Sequence, residues 1–227
     1  MKIKDLSEYK KIEVDGLMLR IPFFKELQEQ APGQLDVLVA YSCIVELEPG
    51  ETIMRRGDRG SWLYFLIKGR LSVFLDEADE HSKPLNSITP GELFGDLALI
   101  CNHERKATVA AERSEKKALL FATDFKPFGE LLDFSKIGMD TKLVFYRTMV
   151  NSIRWRLEVN RIDNPGHKLA VELSQTPVYS GDKGGESELK ALHDQAQFLA
   201  SILDRWNSEM GNMQDIMVAE KAGRPVS

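Results

Sequence analysis

Two cysteines and four histidines in 227 residues leave little material for metal or redox chemistry. Cys43 and Cys101 stand far apart in apolar surroundings, Tyr41-Ser42-Cys43-Ile44 and Leu99-Ile100-Cys101-Asn102, with no CxxC between them. They read as two buried free thiols of a reducing cytosol. His81, His103, His167 and His193 are scattered, so no metal site is expected. No nucleophile stands in a recognisable pattern with a base, so no catalytic residues are expected and the chain reads as a non-enzyme. Long apolar runs are also missing, which excludes a spanning helix. The opening MKIKDLSEYKKIEVDG lacks the apolar core of a signal peptide. The expectation is a cytoplasmic protein with no membrane association. A basic surplus is lacking too: 30 Lys and Arg face 35 Asp and Glu, a net charge of −5, which argues against nucleic acid as a partner.

What is present is a change of pattern along the chain. Residues 1–20 are mixed and charged, a short helix or an arm. Ile21 to Ala31 and Leu35 to Tyr41, parted by Pro32-Gly33, form a small helical preface. Short apolar runs then follow at regular intervals: Ile44–Leu47, Thr52–Arg55, Trp62–Ile67, Leu71–Leu75, Leu85–Thr89, Ala107–Ala111 and Ala118–Ala122. Pro49-Gly50, Gly57-Asp58-Arg59-Gly60, Lys68-Gly69-Arg70 and Pro90-Gly91 cut them, and Asp76 to Pro84 is a polar excursion. That spacing predicts a compact β-barrel or jelly roll. Phe125–Leu132 reads as a short helix.

Two longer helices follow. Met139, Leu143, Tyr146, Val150, Ile153 and Leu157 step by four and three, a heptad seam on a helix over 136–162. Arg147, Arg154, Arg156 and Arg161 give its polar side a basic face, solvated and paired with acids. Asp163-Asn164-Pro165-Gly166 breaks it, and 163–186 reads as a partly flexible connector. A last amphipathic helix over 187–221 carries Leu189, Leu192, Ala196, Leu199, Leu203, Trp206, Met210, Met213 and Met217 on a second seam.

Between the runs lies FGDLALICNHERKATVA, Phe94 to Ala110. Gly95 and Asp96 open a short apolar helical turn, and Arg105 follows nine positions after Asp96. A glycine at a helix start lets backbone N–H groups approach an anion, and the helix end adds partial positive charge. An arginine returning to that spot neutralises a phosphate with a fork of donors. The carboxylate suits a hydroxyl instead. Together they fit a ligand with one phosphate charge and a free ribose hydroxyl.

On these residues, and on the glycines and apolar strand of IMRRGDRGSWLYFLIKG from Ile53 to Gly69, the chain resembles the cyclic-nucleotide-binding domain family over roughly Ile21 to Arg161. The resemblance implies a mainly β fold with α, a jelly-roll-like β-roll with flanking helices, placed at 21–135. It implies that Phe94 to Ala110 is the family's phosphate-binding cassette, in which Arg105 pairs with the cyclic phosphate and Asp96 takes the ribose hydroxyl. Gly95 supplies the turn, and Leu97, Ala98, Lys106 and Ala107 offer backbone amides. Tyr146, or another residue of the following helix, would cap the purine. Three positions depart from the family pattern: Asp96 where a glutamate is usual, Lys106 where a small residue is usual, and Glu104 where many members have proline. Members that prefer the guanine ring often carry threonine or serine after the arginine, so Lys106 points to cyclic AMP rather than cyclic GMP.

The tail lacks the winged helix-turn-helix of the family's transcription factors. The expected function is therefore a cyclic-nucleotide sensor that passes ligand state to a partner protein or a homodimer mate through its C-terminal helices. Two alternatives are an interaction scaffold whose cassette no longer binds, and, from another class, a DNA-binding regulator.

Overall fold

The computed structural model describes residues 1–221, apart from Lys10, residues 76–83 and Glu115. The excursion after Leu75 lies almost wholly outside the described residues, and so do the side chains of Met213 and Met217. In chain order the elements are β1 (Lys2–Asp5), α1 (Lys11–Met18), α2 (Pro22–Gln30), α3 (Pro32–Val39), β2 (Ser42–Leu47), β3 (Thr52–Met54), β4 (Trp62–Lys68), β5 (Leu71–Phe74), β6 (Asn86–Ile88), β7 (Leu93–Phe94), α4 (Asp96–Ile100), β8 (Thr108–Ala111), β9 (Ala118–Asp124), α5 (Met139–Asp163), α6 (Lys168–Ser174) and α7 (Glu186–Lys221).

The strands make two antiparallel sheets, one ordered β1-β2-β9-β4-β7 and the other β3-β8-β5-β6. The expected β-roll with flanking helices is present. The apolar runs are nearly continuous because β2, β4 and β9 of the five-stranded sheet are covered on both faces. Successive side chains point to opposite faces. Thus Val45, Leu47, Leu66, Leu120 and Ala122 pack inside the roll with Leu71, Phe94 and Val109. Ile44, Leu63, Phe65 and Phe121 point the other way, into the helical layer. There Phe24 meets Phe121 edge-on at 4.9 Å and Phe65 at 5.4 Å.

The charged arm is part of the sheet. Lys2–Asp5 pairs with β2 in register Ile3 to Val45, and α1 follows. Gly69 makes the β4–β5 turn at φ +92; a Cβ there would stand 2.8 Å from the Ala118 Cα, so the position takes only glycine without strain. The expected helix over Phe125–Leu132 shrinks to a single tight turn, Lys126–Phe128. Gly129 at φ +54 ends it, and the buried Lys142 ammonium gathers the carbonyls of Glu130, Leu131 and Asp133.

The two heptad seams meet within one chain. α7 packs along α5 and also against α6 and α4. α5 and α7 run in the same direction. Near their starts Arg147 forks onto Glu188 and Tyr146 meets His193 at 5.3 Å, while further along α5 reaches α4 through Arg156. Parallel neighbours need a return connection, and residues 164–185 supply it. This segment holds α6, whose Leu169 and Leu173 are buried, and the Gln195 amide donates to the Pro177 carbonyl at 2.6 Å. Its ordered form comes from tertiary contacts that the Gly- and Pro-rich composition does not announce. Among the described residues no helix is long and apolar enough to cross a membrane.

Candidate functional site

The cassette is built around Gly95, which ends β7 and caps α4 at φ 86, in the left-handed region. A Cβ on Gly95 would lie 2.9 Å from Arg105 Nη1 and 3.0 Å from the Trp62 carbonyl oxygen. Glycine is needed there for two reasons, the sign of φ and the approach of the guanidinium. α4 lasts five residues; Asn102 at φ 49 turns the chain away, and the His103 N–H returns to the Ala98 carbonyl. Asparagine tolerates that left-handed closing position.

Arg105 comes back beside Gly95 because its backbone is strapped to the β3–β4 turn. Its N–H donates to the Asp58 carbonyl at 2.8 Å, and its carbonyl accepts from the Gly57 N–H at 2.8 Å. The side chain is 4 % exposed. Nη1 donates to the Gly95 carbonyl at 2.5 Å; Nη2 donates to the carbonyls of Trp62 at 2.7 Å and Gly60 at 3.2 Å. Burial pushes its pKa below the ordinary arginine value, while Tyr64, Asp96 and Asp58 act in the opposite sense. Three backbone carbonyls thus compensate the buried cation, and they fix where its fork can point.

Asp96 is 1 % exposed, and its carboxylate pairs with the Arg156 guanidinium from α5. Glu104 pairs with Arg59 at 3.2 Å on the surface. Neither acid therefore takes Arg105. Among the other expected site residues, Ala98 is buried, Leu97 and Ala107 are half-buried, and Lys106 is exposed, so its bulk lies outside the cassette core.

Gly95, Asp96 and Arg105 are thus brought together. Tyr146 is not among them. It lies between Phe145 and His193, with burial pushing its phenol pKa up to about 12. Ten residues of helix, about 15 Å, separate it from Arg156 at the cassette.

A cleft of about 550 Å³ opens against the same loop and helix, lined by Arg59, Trp62, Leu99, His103 and Lys126 among others. Its volume falls within the range of small-molecule sites. His103 Nδ1 lies 2.7 Å from the Glu104 carbonyl, and Nε2 is buried without a partner. Among the described residues no group of acidic, histidine and cysteine side chains could hold a metal ion.

Sequence reasoning missed Arg156 as a member of the cassette, grouping it with the solvated basic face of α5. Its partner lies 60 positions away. The nearest available signal was the run of arginines itself, each of which needs an acid when buried.

Residues 44–131 match the family model of the cyclic nucleotide-binding domain. A cAMP-dependent protein kinase type II regulatory subunit from Drosophila melanogaster is 34% identical over 131 residues, 57% of this chain and 31% of that protein. A cyclic AMP receptor protein from Thermus thermophilus is 30% identical over 95 residues, 42% of this chain and 44% of that protein. The chain therefore spans less than half the length of either relative. The regulatory domain of Toxoplasma gondii PKA, crystallised with cAMP, aligns with a TM-score of 0.44 at 21% identity, covering 64% of this chain and 53% of that one.

Proposed function

We propose that this chain, whose residues 44–131 belong to the cyclic nucleotide-binding domain family, is a non-catalytic sensor of cyclic AMP that passes ligand state to a partner through its helical layer. The observation that carries the reading is the juxtaposition of Gly95, Asp96 and Arg105 at the start of α4. A phosphate seated at the helix start meets backbone amides and the positive end of α4. Arg105, already anchored by three carbonyls, offers its charge at no cost in side-chain ordering. Asp96 stands where a ribose hydroxyl can donate. Lys106 in place of a hydroxyl side chain supports the choice of cyclic AMP over cyclic GMP.

The helical layer gives the signal its route. α4 is touched by α7 and tied to α5 through Arg156, so a shift of α4 reaches both long helices. The site residues, the homodimer or partner contact through the C-terminal helices and a cytoplasmic location all belong to this proposal.

Calorimetry with cyclic AMP and cyclic GMP tests it. Wild-type protein should bind cyclic AMP more tightly, and Arg105→Ala should weaken binding at least about a hundredfold. Arg105→Lys, which keeps the charge and loses the fork, should lie between. Equal affinity of Arg105→Ala and wild type would overturn the reading.

A second reading has its own support. Both ionised cassette groups already have protein partners, Arg105 in carbonyls and Asp96 in Arg156. That is what an interaction module with a lapsed cassette would show. No heat and no thermal shift at millimolar nucleotide would decide for it.

A further inference from the structure

The two buried charged residues of the cassette are held in unequal ways. Arg105 makes three hydrogen bonds, all to backbone of its own roll. Asp96 is held by a side chain from α5, 60 positions on. Arg156 is poorly rewarded in that position: its Nε is buried and has no partner. A buried donor left unpaired carries its full desolvation cost. The Arg156 side chain is also 30% exposed, whereas that of Asp96 is 2% exposed, so the cation has a way out to water and the anion does not.

We propose that Arg156 is a displaceable occupant of the ribose subsite: it holds the Asp96 carboxylate in the ligand-free protein and gives it up to the ligand's hydroxyl. The proposal rests on the cyclic-nucleotide reading above and adds the residue that sets affinity and links the site to the helices. While Arg156 holds Asp96, α5 is pinned to the start of α4. When a ribose hydroxyl takes the carboxylate, Arg156 gains water at Nε and loses its grip on the roll. Ligand entry and release of α5 are then one event. By linkage, a partner that holds α5 down weakens nucleotide binding and one that draws it away strengthens it, and the nucleotide changes each partner's affinity by the factor that partner changes the nucleotide's. A ligand that must first displace an occupant binds with its intrinsic affinity reduced by the fraction of protein already open.

The test uses the full chain and its Arg156→Gln variant, with cyclic AMP titrated by calorimetry. Arg156→Gln should bind about tenfold more tightly than wild type. Amide hydrogen exchange in the second half of α5 should be faster in ligand-free Arg156→Gln than in ligand-free wild type, and cyclic AMP should produce the same increase in wild type. If Arg156→Gln folds poorly, Arg156→Lys serves in its place and should show a smaller gain of the same sign. Equal or weaker binding by the variant overturns the proposal and leaves the sensor reading intact, because Arg156 would then be inert or a ligand contact. Cyclic AMP binding by wild type without faster exchange in α5 also overturns it. Failure of both proteins to bind overturns the sensor reading and this one with it.

Discussion

The cassette and the pairings along α7 hold charge by different means. Inside the roll, Arg105 lies among backbone carbonyls of Gly60, Trp62 and Gly95, groups whose positions the strands and turns already set. Along α7, charges are held side chain to side chain across long stretches of sequence: Arg147 on Glu188, Arg205 on Glu172, His167 on Glu209; at the start of α5, Lys142 is held by backbone carbonyls as Arg105 is. Backbone acceptors cannot leave without unfolding the turn or strand that carries them. Side-chain acceptors can exchange partners at modest cost. Asp96 belongs to the roll yet is held in the helical manner. The buried acid of the cassette is therefore also the place where the two layers can part.

The largest expected effect would break the helical half of this comparison. Trp206 is fully buried and stacks on His167 with 4.5 Å between ring centres. Trp206→Ala should cost about 3–5 kcal/mol in urea unfolding, because the cavity lies under three packed helices. A loss confined to helical circular dichroism would show that the roll stands apart; a single transition would show that the layers are one cooperative unit.

A smaller effect concerns the fork between Arg147 and Glu188. Burial alone would raise the Glu188 pKa, but the Gly184 N–H and the Arg147 guanidinium outweigh it and hold the carboxyl below its ordinary value. A depressed folded pKa gives stability that is complete above the unfolded value, near 4.3, and lost as pH falls through the folded one. Glu188→Gln should cost about 1–3 kcal/mol at pH 7. It should also remove part of the acid sensitivity, so that wild type and variant converge in unfolding experiments toward pH 3. A constant difference across that range would show that the pair contributes through packing alone.

Tyr146 sharpens the comparison from the alkaline side. Its phenol should be the last tyrosine to ionise in an absorbance titration, around 12. Stability from keeping it neutral is complete below its unfolded pKa, near 10, and is lost as pH rises through the folded value. Tyr146→Phe should remove that last step and leave cyclic AMP affinity unchanged, since Tyr146 faces α7. A change in affinity would restore it to the purine side.

The smallest effect is expected at Trp155, which is 66% exposed and adjoins Arg156 on α5. Trp155→Ala should alter stability by less than about 0.5 kcal/mol in the same urea assay. A larger loss would mean that this ridge is covered in solution.

Much of the roll was legible because its determinants are local. Glycines at 50, 57, 69, 91 and 95 all take positive φ, and each stands at a strand end that the sequence marks. β7 escaped notice because two residues, Leu93 and Phe94, carry no period. α6 escaped because its first turn is capped by a His167 ring nitrogen rather than by Ser, Thr, Asp or Asn. Gly95 and Arg105 could be read as neighbours from spacing and resemblance. The partner of Asp96 could not, since any of four arginines on α5 suits a carboxylate and only packing selects one.

By itself, the sequence determined most of the strands, their turns and the glycine-opened cassette, because alternation, φ preference and spacing act over a few residues. The tertiary structure alone decided that the two heptad seams satisfy each other in parallel, with α6 on the return path. It alone placed Arg156 on Asp96. Which faces meet, and which buried charges share a dielectric, depend on the sum of contacts between segments far apart in the chain, and no local pattern carries that sum.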